Sequence, residues 1–76
     1  MERRIQSILV IGLGKVGRLV ATLLHQHGYR VTGLDSGRQK KQAFAVVRAS
    51  VTQKKILNRA LKEHDAVVTC LPYHLN

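Results

Sequence analysis

The run Ile8-Leu9-Val10-Ile11, followed at once by Gly12-Leu13-Gly14-Lys15-Val16-Gly17, constrains this chain more than any other feature. Four apolar residues, three of them β-branched, read as a strand buried on both faces, the kind a parallel sheet requires. The Gly-x-Gly-x-x-Gly spacing gives each glycine a mechanical task. Gly12 lets the chain turn sharply out of the strand, Gly14 lets a pyrophosphate approach the backbone, and Gly17 lets the next helix settle close against the sheet. Free N–H groups at the start of that helix then face the anion.

The neighbouring residues support this reading. Val16, Leu19, Val20, Leu23 and Leu24 fall on one face of a helix, and Gly28 stands where a left-handed C-terminal cap is expected. A second strand, Arg30-Val31-Thr32-Gly33-Leu34, ends at Asp35, about 20 residues past the glycines, where an acid binds the adenosine ribose of a dinucleotide. The chain has only four acidic residues, Glu2, Asp35, Glu63 and Asp65, so an acid at this place carries weight. The expected cofactor contacts are Gly12, Leu13, Gly14, Lys15, Val16, Gly17, Asp35, Ser36 and Arg38. NAD is the expected ligand, because a carboxylate accepts hydrogen bonds from both ribose hydroxyls and repels a 2′-phosphate. Arg38, with Lys40 and Lys41 behind it, keeps NADP open as the alternative.

The remaining chain completes a repeating order. Ser36 to Ala43 is polar and basic, long enough for a short helix or a helical turn. Phe44-Ala45-Val46-Val47 reads as a third strand with Arg48 and Ala49 near its end. Thr52 is placed as the N-cap of a helix whose inward residues are Ile56, Leu57, Ala60 and Leu61. Asp65-Ala66-Val67-Val68-Thr69-Cys70-Leu71 gives a fourth strand, stopped by Pro72. The order βαβ(α)βαβ predicts an α/β fold: a Rossmann-like parallel sheet with flanking helices and right-handed crossovers. A full dinucleotide-binding domain has two such halves, and residues 1–76 make one. The expectation is an N-terminal piece of a longer protein, or a chain completed by a substrate domain or by a second copy of itself.

Size and composition narrow the classes. A chain of 76 residues makes one small domain, burying only about 60% of its unfolded surface. Cys70 is the single cysteine, so no internal disulfide forms and a reducing cytoplasm is the expected compartment. His25 and His27, two apart, face different ways on a helix and make a poor metal site. Arg3 and Arg4 precede an apolar run, but Gly12, Gly14 and Lys15 cut it short, and nothing approaches the roughly 20 apolar residues of a membrane helix. Thirteen Lys and Arg give a formal charge of +9, which attracts phosphates at long range. With three aromatic residues, Tyr29, Phe44 and Tyr73, and no reader motif, nucleic acid is not the expected partner. A solvated basic face or an acidic neighbouring domain accounts for the charge. Tyr73 and His74 stand near the expected cleft, but no catalytic residue is assigned.

Taken together, Ile8 to Gly17, Gly33-Leu34-Asp35, Val51-Thr52, Asp65-Ala66-Val67-Val68 and the ending Leu71-Pro72-Tyr73-His74-Leu75-Asn76 resemble the N-terminal nucleotide-binding segment of the saccharopine dehydrogenase family, including lysine dehydrogenases. The resemblance implies that Leu71 and Pro72, in a Leu-Pro-aromatic loop, lie beside the bound cofactor and near the substrate cleft. Ser50 stands where the family often has an acid. The family's activity is NAD(P)-linked oxidation of a secondary amine or amino acid such as saccharopine or lysine, and its substrate domain lies outside this chain, so the resemblance implies binding without catalysis. A second resemblance runs through Gly12-Leu13-Gly14-Lys15-Val16-Gly17-Arg18 and Gly33-Leu34-Asp35, to the nucleotide-sensing domains that regulate potassium transport. Those domains bind NAD(H) or ATP and catalyse nothing.

Overall fold

A computed structural model describes residues 5–71. The elements follow in the order β1 (Ser7–Ile11), α1 (Lys15–Gln26), β2 (Arg30–Asp35), β3 (Ala45–Arg48), α2 (Lys54–Glu63) and β4 (Ala66–Thr69). The four strands form one parallel sheet ordered β3-β2-β1-β4. The chain runs outward from β1 through β2 to β3 and then crosses back to β4. This reversal puts a topological switch point between the carboxyl ends of β1 and β4, where ligands of open α/β sheets bind.

The central strand explains the continuous apolar run. Every residue of β1 is buried. Ile8 and Val10 join Leu13, Ala21, Val31 and Phe44 in one cluster, whereas Leu9 and Ile11 join Leu34, Ala49 and Ala60 in another. The alternation of side chains along a strand divides them this way. Helix α1 contributes Ala21 to the first cluster and α2 contributes Ala60 to the second, so the two helices cover opposite faces. The strand β3 is exposed along its length and β4 alternates between half-buried and exposed.

Four local expectations need correction. No helix or helical turn forms between β2 and β3. Residues 36–44 run as bends and irregular chain, and the buried ring of Phe44 fills the space over Gly33 instead. The inward line of α1 is Gly17, Val20, Ala21 and Leu24, while Val16 and Leu19 are 65% and 59% exposed and Leu23 also faces out. The small residues at 17 and 21 let the helix axis approach the sheet, and that approach selects the facing side over the bulkier stripe. In α2, Ala60 is buried and Leu57 half-buried, but Ile56 and Leu61 are exposed. Its entry also differs. Thr52 lies in a turn closed by Ser50, whose N–H donates to Gln53 Oε1 at 2.7 Å and whose Oγ accepts from the Thr52 N–H at 3.2 Å. That turn delays the helix, leaving Gln53 at the N-cap without a side-chain cap bond.

Two strand bounds also shift: β3 runs Ala45–Arg48 with Phe44 before it, and β4 is confined to Ala66–Thr69, ending before Cys70 and Leu71. The end of α1 matches the sequence. Gly28 closes α1 at φ +91° with its N–H donating to the His25 carbonyl, and the Tyr29 N–H reaches back to Leu24 O at 3.2 Å. At the amino edge of the sheet, Asp65 Oδ2 accepts from the Gln6 and Ser7 N–H groups at 2.9 and 3.1 Å and ties the start of β4 to the start of β1.

Candidate dinucleotide site

The three glycines after β1 occupy three different environments. Gly12 adopts φ +94°, a conformation that L side chains rarely take, and a Cβ there would lie 2.9 Å from the Cys70 carbonyl. Its N–H donates to Leu34 O at 2.8 Å, and the Cys70 N–H donates to Ile11 O at 2.7 Å, so the turn is wedged between the ends of β2 and β4. At Gly17 an added Cβ would overlap the Gly12 carbonyl oxygen. The first turn of α1 therefore rests directly on the loop's backbone.

Gly14 is different. It is exposed, has φ −69°, and a Cβ built on it meets nothing within 4 Å. No fold-internal contact demands a glycine here, and the space beside it lies at the amino end of a 12-residue helix. Backbone N–H groups of the first turn lack intrahelical acceptors, and α1 has no acid in its first turn and no side-chain cap bond. The residues present fit a pyrophosphate: a small, open cradle at a helix N-terminus, with Lys15 and Arg18 on the same turn.

Leu13, the residue between the first two glycines, anchors the loop. Its side chain is almost fully buried and presses on Gly33 of β2, where a Cβ would come within 2.6 Å of a Leu13 methyl and 3.0 Å of the Phe44 ring. Its N–H donates to Asp35 Oδ2 at 2.6 Å. The other oxygen of Asp35 accepts from the Gly37 N–H at 2.7 Å. Asp35 thus stands at the expected place, at the end of β2 beside the glycine loop, and both of its oxygens hold backbone.

The basic residues gather around the same end of the sheet. Arg38, Lys40, Lys41 and Arg48 line an open cavity of about 330 Å³ together with Phe44 and Val46. A second hollow, lined by Lys15, Arg18, Leu19 and Thr22, shares Gln42 with the first. Arg48 was not legible as a site residue from its spacing, since it lies 13 positions past Asp35. Parallel pairing of β2 with β3 places the two side by side as Cα partners. Ser36 is exposed, and its carbonyl accepts weakly from Arg48 Nε at 3.4 Å. Leu71 follows Cys70 at the carboxyl end of β4, against Gly12. Pro72, Tyr73 and His74 lie outside the described residues. Among the described residues no three His, Cys, Asp or Glu side chains gather as metal ligands, and no helix is long and apolar enough to cross a membrane.

Fold and loop together define a dinucleotide-binding α/β half-domain of the Rossmann type. A sequence profile described as "Saccharopine dehydrogenase NADP binding domain" matches residues 8–76, and the chain belongs to that family. UDP-N-acetyl-D-mannosamine dehydrogenases from two strains of Methanococcus maripaludis are each 28% identical to it over 82 residues. One from Methanococcus vannielii is 25% identical over 85 residues. These alignments cover 90–93% of this chain but only 19–20% of the relatives, so the chain spans about a fifth of their length. The cofactor is accordingly NAD(P). The potassium-transport reading gains no support from these comparisons.

Proposed function

We propose that residues 1–76 are the N-terminal cofactor-binding segment of a saccharopine or lysine dehydrogenase-like oxidoreductase, and that the segment binds NAD(P) without turning over a substrate. The observation that carries this reading is Gly14, a glycine whose side-chain space is empty and lies at the start of α1. Gly12 shapes the turn, Gly17 brings the helix down on it, and the N–H groups of Gly14, Lys15 and Val16 meet the pyrophosphate. Leu13 fixes the loop from below. Asp35, Ser36 and Arg38 border the adenosine end, while Leu71 borders the nicotinamide end at the switch point.

When bound, the nicotinamide supplies the hydride chemistry. This chain forms one wall of the cleft, and hydride transfer needs a second wall to hold the reacting carbon about 3–3.5 Å from the ring. That wall belongs to a substrate domain, or to a second copy of the chain. Titration calorimetry of the chain with NAD, NADP and ATP tests the reading. Saturable one-to-one binding of a dinucleotide is the expected result. ATP binding with no dinucleotide binding would transfer the chain to the nucleotide-sensing class, and no binding at all would end the proposal.

A further inference from the structure

The strand β3 is outermost in the sheet and exposed along its length, with no proline and one charged residue, Arg48, at its end. Such an edge offers a row of backbone groups to another chain. The Ala49 N–H donates to Asp35 O at 2.9 Å. Backbone groups alternate in direction along a strand, so Ala45 and Val47 turn theirs toward β2, and Val46 and Arg48 turn their N–H and C=O outward.

The two faces beside this edge differ in chemistry. On the face that α1 covers, Val46 and Arg48 border the open cavity of about 330 Å³ that Arg38, Lys40 and Lys41 also line. On the opposite face, Ala45 and Val47 border an open groove of about 550 Å³ that Ile56 and Ala60 of α2 also line. Arg59 and Glu63 at that groove are already paired with each other. A strand laid along β3 sends successive side chains to opposite faces. One set of them meets cations and the other meets apolar surface.

We propose that the edge of β3 is a docking site for an extended segment of a partner protein in which acidic and apolar residues alternate, taken up as an added strand of the sheet. Backbone bonds to Val46 and Arg48 supply affinity indifferent to sequence, and the two faces supply the preference. Acidic side chains fall beside Arg48, Lys40 and Lys41, and apolar ones fall against Val47 and Ile56. A second copy of this chain is a poor occupant, because pairing β3 with its symmetry mate brings Arg48, Lys40 and Lys41 of both copies together, and facing like charges destabilise a strand pair. The edge makes no use of the glycine loop, so the docking stands or falls apart from the dinucleotide reading.

Fluorescence anisotropy of the full chain with a labelled peptide alternating glutamate and valine makes the test. Saturable one-to-one binding that weakens with salt is expected, and a peptide alternating lysine and valine binds about tenfold less tightly. Methylating every second peptide N–H abolishes binding in one phase of the alternation and spares it in the other, as pairing along a single edge requires. Val46→Pro removes an outward N–H without touching a bond to β2, and it abolishes binding. Should that variant fail to fold by circular dichroism, Lys40→Glu with Lys41→Glu, both exposed, decides: the glutamate peptide binds about tenfold more weakly and the lysine peptide more tightly. Gly14→Val leaves peptide affinity unchanged. Equal binding of polyglutamate or of a short RNA at matched charge would reduce the edge to a general polyanion surface and overturn the inference. Binding indifferent to N-methylation, no binding, or self-association of the chain that Val46→Pro relieves would overturn it as well.

Discussion

Substituting the second and third glycines of the loop separates their tasks, because one borders solvent and the other borders backbone. Gly14→Val places a branched side chain at φ −69°, which any residue adopts, in space where nothing lies within 4 Å. Losing glycine at an N-cap costs about 0.5–1 kcal/mol, and the stiffer unfolded chain returns about 0.4–1 kcal/mol, so stability stays near its starting value. The melting temperature moves by about 4 °C at most. Binding does not survive, since the side chain stands where the pyrophosphate must approach the first turn. Loss of two N–H bonds to an anion, at about 1.5–3 kcal/mol each, weakens binding by roughly 10²–10⁴-fold. Gly17→Ala behaves in the opposite manner. Its methyl overlaps the Gly12 carbonyl oxygen and lies 3.3 Å from Cys70 Cβ, and neither backbone nor a strand end swings away. Overpacking costs about 3 kcal/mol at the upper end, and better helix propensity recovers about 1 kcal/mol. A net loss of about 2 kcal/mol is large for a chain this size, whose total stability is about 4–11 kcal/mol. Thermal unfolding by circular dichroism and titration with NADP on both variants make the test. A Gly14→Val protein that binds as wild type does, or a Gly17→Ala protein that melts where wild type does, would refute the division of labour.

Other outcomes follow from the same contacts. Gly33→Ala pushes Leu13 and the Phe44 ring aside and costs about 1–3 kcal/mol in urea unfolding, with weaker nucleotide binding because Leu13 carries the loop. Asp65→Ala removes the acceptor of the Gln6 and Ser7 N–H groups and lowers stability by about 1–3 kcal/mol, with no effect on affinity once the chain is saturably folded. Glu63→Gln breaks an exposed pair with Arg59 and changes stability by less than about 0.5 kcal/mol in the same assay. Incubated with NAD or NADP and saccharopine or lysine, the purified chain yields no sustained absorbance of reduced nicotinamide; a steady rate lost in Gly14→Val would mark it as an enzyme in its own right.

The parts legible in the sequence were those that depend on local chemistry. The glycine spacing, the apolar strand before it and the acid at the end of β2 are contiguous signals, and each lies where its pattern placed it. Helix faces were less legible because periodicity reports which residues could point inward, not which side the sheet approaches. Gly17 and Ala21 bring α1 close, and Val16 and Leu19 turn outward as a result. The same limit hid the absent helix between β2 and β3, since a polar, basic segment carries no periodicity and Phe44 fills the space by tertiary contact. Arg48 reaches the cavity through strand register, a relation between distant parts of the chain. The clasp made by Asp35 was hidden for that reason too: the acid was visible, but the backbone groups that hold it were not.

The position of β1 also fixes when the site comes into being. Ile8 pairs with Val31 on one side and with Ala66 on the other, and Gly12 makes its closest approach to Cys70. The first described strand is therefore completed only by β4, the last described one, through contacts 58 residues apart. Closing so long a loop comes before its contacts contribute, so folding is slow for so short a chain. During synthesis the glycine turn has no wall behind it until β4 docks. The nucleotide meets a finished cradle or none, and by binding only the closed sheet it holds back the parting of β4 from β1.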